Sequence, residues 1–125
     1  MKELKIYRCD HCKNIVVKVH DGGVVPVCCG EPMKELVPNT VDASVEKHVP
    51  VVTRENNRIT VHVGSEDHPM IDVHYIEWIL LETKTGFRIA YLQPNDQPAV
   101  DFYEDEPVIA VYAYCNLHGL WKTAV

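Results

Sequence analysis

The chain has 125 residues, with 12 Lys and Arg against 18 Asp and Glu and a formal charge of −6. That length suits one ordinary domain, or a small module joined to a modest one, and the acidic balance excludes general nucleic-acid binding, which rests on cations meeting phosphates. No apolar run reaches the roughly 18 residues of a membrane span, the opening MKELKIYRCD lacks the apolar stretch of a secretory signal, and an odd count of five Cys argues against a disulfide scaffold.

Four of the five Cys fall early, at Cys9, Cys12, Cys28 and Cys29. Cys9-x-x-Cys12 lets two sulfurs point at one ion, Gly22-Gly23 permits a reversal, and Cys28-Cys29-Gly30 supplies the second half. Four thiolates suit a tetrahedral Zn or Fe. A thioredoxin-like dithiol is disfavoured, because no βαβ pattern surrounds Cys9–Cys12. Adjacent residues point apart, so Cys28 and Cys29 can share an ion only where the backbone bends. A segment of this size buries too little apolar surface to fold unaided, and a metal would staple it. A boundary is expected near Leu36-Val37-Pro38-Asn39, since Pro and Asn end regular structure. It divides the chain into residues 1–37, net charge +1, and 38–125, net charge −7.

The remainder reads as strands. Glu46-Lys47-His48-Val49-Pro50 precedes the turn residues Asn56-Asn57. Ile59, Val61 and Val63 then alternate with Thr60 and His62, the period of a half-buried strand. Ser65 to Met70 reads as loop, with Pro69 beside His68. His74 is expected to open a strand running from Val73 to Leu81. Lys84-Thr85-Gly86 turns this run into Phe87–Leu92, a hairpin. Asn95-Asp96 marks another turn, and Val108–Tyr114 is a further apolar run ending at Cys115-Asn116-Leu117-His118. Short strands separated by turns predict an antiparallel sandwich, and eight Pro with six Gly argue against long helices. The fold class expected is therefore mostly β.

Cys115 and His118, with His48, His68 and His74, form a second group of metal donors. Two chemistries fit. A blue-copper site takes two His, one Cys and a weak axial Met on a β-sandwich, but no Met follows Cys115 and four imidazoles exceed its need. Four His and one Cys around an iron leave one octahedral position open, as a reactive centre requires. His62 reads as a solvent-facing strand residue and His11 as exposed, so neither they nor His20 is taken as a ligand.

Cys9, Cys12, Cys28, Cys29 and Gly30 resemble the desulforedoxin family, in which one redox-active Fe is held by C-x-x-C and a C-C pair. Residues 38–125 resemble the neelaredoxin, or superoxide reductase, domain at Glu46-Lys47-His48-Val49-Pro50, His68-Pro69-Met70 with His74, and Cys115-Asn116-Leu117-His118-Gly119-Leu120-Trp121. Together they are similar to the desulfoferrodoxin family of two-iron superoxide reductases.

The resemblance implies an N-terminal rubredoxin-like module and an immunoglobulin-like β-sandwich. It implies two irons per chain, one Fe(Cys)4 and one Fe(His)4(Cys). It also implies one-electron reduction of superoxide to hydrogen peroxide, as defence against oxidative stress in an anaerobic or microaerophilic microbe. Lys47 is expected to attract the anion and assist protonation, and Glu46 to bind the open position in the oxidised resting state. Backbone N–H groups near Asn116, Leu117 and His118 are expected to tune the Cys115 sulfur. A homodimer, electrons from rubredoxin or a similar small carrier, and a cytoplasmic location complete the expectation. A metal-based electron carrier is the alternative from a different functional class.

Overall fold

The computed structural model describes residues 4–125. Met1, Lys2 and Glu3, which begin the MKELKIYRCD segment and the expected 1–37 module, lie outside the described residues. The chain divides into two compact units, Met1–Val37 and Pro38–Val125.

In the first unit, β1 (Ile6–Arg8) lies between β2 (Ile15–Val17) and β5 (Lys34–Glu35), both antiparallel to it. A second pairing joins β3 (Val27–Cys28) to β4 (Glu31–Pro32). The strands are two or three residues long, and the core they enclose is Tyr7, Cys9 and Met33, with Cys28 packed against it. So small an apolar centre offers little stabilisation by itself. Two ligand candidates, Cys9 and Cys28, belong to it.

The second unit is built from two antiparallel sheets. One has the order β10 (Ala99–Tyr103), β7 (Arg58–Val63), β6 (Pro50–Glu55). The other runs β12 (Gly119–Ala124), β11 (Val108–Cys115), β8 (Ile76–Thr83), β9 (Gly86–Tyr91). The alternation of β7 works as its pattern requires, with Ile59, Val61 and Val63 fully buried. They meet Ile79 and Leu81 of β8 and Val111, Ala113 and Cys115 of β11 in one core. Each fully buried Ile, Leu or Val adds about 1.5–3 kcal/mol relative to exposure. β8 reads as a nearly continuous apolar run because its other face is buried too. Trp78 and Leu80 lie there with Tyr112 and Tyr114 of β11, and the Trp78 and Tyr114 rings stack at 5.5 Å.

The strand expected from Val73 begins only at Ile76. Ile71 and His74 instead close a tight loop by exchanging two backbone hydrogen bonds of 3.0 Å. Asn116 holds the next stretch, accepting from the Tyr75 N–H at 3.0 Å and donating to the Val73 carbonyl at 3.1 Å. These side-chain bonds take the place of a sheet ladder, so His74 is aimed by a loop. Among the described residues the helical content is one turn, α1 (Val45–His48). No helix among them is long and apolar enough to cross a membrane.

Candidate metal centres

In the first unit, one sulfur from each of Cys9, Cys12, Cys28 and Cys29 lies within 4.8 Å of the others. The Cys12 and Cys28 sulfurs are 3.6 Å apart and those of Cys28 and Cys29 4.0 Å. These are not disulfides; all five cysteines are free. A tetrahedron with metal–sulfur bonds of about 2.3 Å has edges of about 3.8 Å, so the spacing fits one ion. The bend needed by the adjacent pair is present. Cys29 adopts φ 53° and Gly30 φ 77°, left-handed geometry that turns both sulfurs to one side.

The Cys9–Cys12 half is a closed knuckle, with Lys13 N–H donating to the Cys9 carbonyl and Cys9 N–H to the Asn14 carbonyl, both at 2.9 Å. Backbone N–H groups of Cys12 and His11 lower the Cys9 thiol to about 6. Crowding by the Cys9, Cys12 and Cys28 sulfurs pushes Cys29 up to about 12. Such a site opposes four negative sulfurs unless a cation is among them. Asn14 adds a contact that the spacing did not announce, its Nδ2 donating to the Cys28 sulfur at 3.7 Å. His11 is exposed, as expected, and faces Glu31 at 3.1 Å.

In the second unit, His48, His68, His74, His118 and Cys115 bring one donor atom each within 4.8 Å. α1 carries His48. The loop after β7 carries His68, and the Ile71–His74 bridge carries His74. The end of β11 and the turn into β12 carry Cys115 and His118. The imidazoles follow one another around a ring. Neighbouring centroids are 4.6 Å (His48–His68), 4.8 Å (His68–His74), 5.0 Å (His74–His118) and 4.9 Å (His118–His48), each pair edge to face. His48 and His74 stand opposite each other at 6.5 Å.

The hydrogen bonds determine which nitrogens face inward. His48 Nδ1–H donates to the Ser44 carbonyl at 2.6 Å, and His68 Nδ1–H to the Pro69 carbonyl at 2.7 Å. In the neutral rings both Nε2 atoms are therefore bare acceptors. Yet His48 Nε2 stands 3.1 Å from His68 Nε2 and 3.0 Å from His118 Nδ1. His74 Nε2 is buried without a hydrogen-bond partner. A cation satisfies all of them. Metal–nitrogen bonds of about 2.0–2.1 Å place adjacent nitrogens of a square about 3 Å apart.

Burial lowers the pKa values of His48 and His74 and brings His68 to about 4, which keeps the rings neutral and able to ligate. Lys47 adds to the lowering at His48 and His74, so its positive charge is felt in the ring. Burial raises Cys115, while the Leu117 and His118 backbone N–H groups pull the other way by donating to its sulfur. Its sulfur lies 3.9 Å from His118 Nδ1. Trp121 braces the ring, donating from Nε1 to the His118 carbonyl at 3.0 Å with its rings 4.9 Å from His48.

The remaining candidates precede His48 in α1. Glu46 and Lys47 are exposed on α1 beside buried His48. Ser44 Oγ donates to Glu46 Oε2 at 2.7 Å. That bond, after the residue's own N–H, holds the Glu46 carboxyl below the usual range. Ser44 thus serves Glu46 through its hydroxyl and His48 through its carbonyl. Residue order carried no signal of that double role. The blue-copper alternative finds no support, because Met70 sulfur accepts from the Ile76 N–H at 3.4 Å and four imidazoles share the site. His62 stays outside the ring but is less solvent-facing than its strand position implied. It is half-buried, donating from Nδ1 to the Gly64 carbonyl at 2.6 Å, with Nε2 2.9 Å from Asp67 Oδ1.

The desulfoferrodoxin family model matches residues 40–124, and that of the desulfoferrodoxin N-terminal domain matches residues 1–36. A desulfoferrodoxin homolog of Archaeoglobus fulgidus is 44% identical over 120 residues, covering 96% of each chain. A superoxide reductase of Thermococcus kodakarensis is 35% identical over 100 residues, covering 64% of this chain and 86% of that one. The crystal structure of the superoxide reductase from Treponema pallidum superposes with a TM-score of 0.82 at 34% identity, covering 98% and 99% of the two chains. The four-sulfur and four-imidazole-plus-sulfur donor sets fit the two iron centres of desulfoferrodoxin. With both halves matched along nearly their whole length, the chain belongs to the desulfoferrodoxin family.

Proposed function

We propose that the protein is a superoxide reductase, adding one electron and two protons to superoxide to give hydrogen peroxide. The observation that carries this reading is the ring of four inward-facing imidazole nitrogens with a fifth donor at Cys115. His48, His68, His74, His118 and Cys115 would hold the reactive iron, and Cys9, Cys12, Cys28 and Cys29 the other. Iron bound in the ring supplies the electron and a Lewis-acidic position for the anion.

The chain's own residues do the rest. Lys47 places a positive charge beside the ring in a unit of net charge −7. It draws the anion inward over short range, where screening by salt is incomplete. The same ammonium stabilises the growing negative charge on oxygen and orients a proton-delivering water. The N–H groups of Leu117 and His118 spread the charge of the Cys115 thiolate. The Glu46 carboxylate, held by the Ser44 hydroxyl, would serve as a hard oxygen ligand for iron in its oxidised state.

In this reading residues 1–37 form the desulforedoxin-like module and 38–125 the catalytic domain. Electrons come from a small carrier such as rubredoxin, and an iron held by Cys9, Cys12, Cys28 and Cys29 would either pass them on or only staple the module. The protein works as a homodimer in the cytoplasm, where thiols stay reduced, defending an anaerobic or microaerophilic microbe against oxidative stress.

The test is rapid mixing of the reduced, iron-loaded protein with superoxide. Reduction yields peroxide and no oxygen. Oxygen released in step with peroxide would mean dismutation and overturn the reading, and an iron centre that ignores superoxide would point to an electron carrier.

A further inference from the structure

The distance of the Lys47 charge from the ring depends on where the Glu46–Lys47 peptide is placed. α1 is a single turn, too short to hold its own conformation. The fixing comes from the loop that leaves β7. Ser65 Oγ at 3.2 Å and the Glu66 N–H at 2.9 Å both donate to the Glu46 carbonyl, the peptide that joins Glu46 to Lys47.

Gly64 is buried directly against this peptide. A Cβ at position 64 would stand 2.5 Å from the Glu46 carbonyl oxygen and 2.9 Å from the Lys47 carbonyl carbon, both backbone atoms. Real side chains do not approach so closely, so any other residue must push the Glu46–Lys47 peptide away. His62 holds Gly64 in turn, donating from Nδ1 to its carbonyl at 2.6 Å, while His62 Nε2 meets Asp67 Oδ1 at 2.9 Å. The loop closes with the His68 N–H donating to the Val63 carbonyl at 3.0 Å. One short segment therefore positions a ring imidazole and the Lys47 backbone together.

We propose that the segment from His62 to Asp67 is a mount for the Glu46–Lys47 peptide, with Gly64 and His62 as positioning residues for Lys47. This rests on the role given to Lys47 above. The sequence places a histidine on a strand face and a glycine at its end; the contacts give both a task in the superoxide reaction.

The test compares iron-loaded Gly64→Ala, His62→Ala, Lys47→Ala and the Gly64→Ala/Lys47→Ala double variant. Hydrogen exchange by mass spectrometry on the intact holoprotein reads the Glu66 amide, and rapid mixing reads superoxide capture. Gly64→Ala should speed exchange at residues 64–67 by about 10-fold, the cost of one lost hydrogen bond, while the amides of β8 and β11 stay protected.

Capture should fall about 10-fold, toward the Lys47→Ala level, and the double variant should be no slower than Lys47→Ala alone. His62→Ala, which adds no clash, should show the same pattern more weakly, and it serves if Gly64→Ala does not fold. Unchanged exchange and capture in Gly64→Ala or His62→Ala, beside a slowed Lys47→Ala, overturn the mount. Additive losses in the double variant overturn it too, because Gly64 would then act elsewhere. An unchanged rate in Lys47→Ala overturns the reading of Lys47 itself, and the proposal with it.

Discussion

His48 Nε2 and His68 Nε2 face each other across 3.1 Å, and the hydrogen bonds to the Ser44 and Pro69 carbonyls leave both without a proton. Two acceptors at that distance repel unless something positive lies among them. Chelation of the ring metal should therefore lower the melting temperature. A metal present at about 1,000 times its dissociation constant contributes about 4 kcal/mol of apparent stability. Zinc should restore the melting temperature and leave superoxide reduction abolished, because zinc has no redox chemistry. Calorimetry beside an activity assay checks both halves.

Lys47 precedes His48 in α1, and its charge adds to the lowering of the His48 and His74 pKa values. Lys47→Ala should slow superoxide capture about 10-fold at low ionic strength and flatten its salt dependence. Lys47→Arg should retain both. Rapid mixing across a salt series measures the two effects, and an unaltered rate at low salt would remove Lys47 from the mechanism.

Glu46 is tethered by the Ser44 hydroxyl at 2.7 Å. As a gate it is dispensable for the reduced protein. Glu46→Ala should leave superoxide capture within about 2-fold of the parent, well below the effect of removing a transition-state contact. It should alter the absorption spectrum of the oxidised protein. Optical spectra of the two oxidised proteins decide the matter, and identical spectra would sink the gate.

Asn14 donates to the Cys28 sulfur at 3.7 Å. An N–H aimed at a ligating sulfur favours the more negative, reduced state of its iron. Asn14→Leu should lower the reduction potential of the sulfur-rich centre and leave that of the imidazole-ringed centre unchanged. A redox titration followed at the absorption bands of each iron reads both.

Asp21 gives the first unit an acid sensitivity. Hydrogen bonds from Lys18 and the Gly23 N–H, both 2.9 Å, hold its carboxyl well below the usual carboxylate range. Because the folded value is depressed, the stabilisation is present at neutral pH. It is lost as the pH falls below the unfolded value of about 4 toward the folded one. Asp21→Asn should be less stable than the parent at pH 7, with the gap closing as the solution is acidified. Denaturant titrations at several pH values measure that closing. A gap independent of pH would mean that the charge of Asp21 is not what stabilises.

Much of this architecture was legible beforehand because its signals are local. Ile59, Val61 and Val63 show their buried face by alternation alone, and the cysteines by spacing within each half. Other features depend on what the fold brings from a distance. β8 starts at Ile76, later than its apolar run suggests, because Asn116, 41 residues away, captures the Tyr75 N–H. The alternation of β7 places His62 on the polar face and gives no sign of the Gly64 carbonyl and Asp67 carboxylate that the following turn brings back to it. Gly64 and Ser44 were silent for the same reason. Their task is set by the Glu46 and His48 backbone and side chain meeting them in three dimensions.

Two of the four cysteines of the sulfur-rich centre are exposed, unlike the cysteine of the other centre. Cys115 is 0% exposed, whereas Cys12 and Cys29 are open to solvent. Oxidation of cysteine follows access as well as thiolate character, climbing from sulfenic to irreversible sulfonic acid. A protein that produces peroxide would thus expose Cys12 and Cys29 of its sulfur-rich site to its own product while shielding Cys115. Ageing under turnover should erode the Cys12 and Cys29 end first, so that the N-terminal module is the part that wears out.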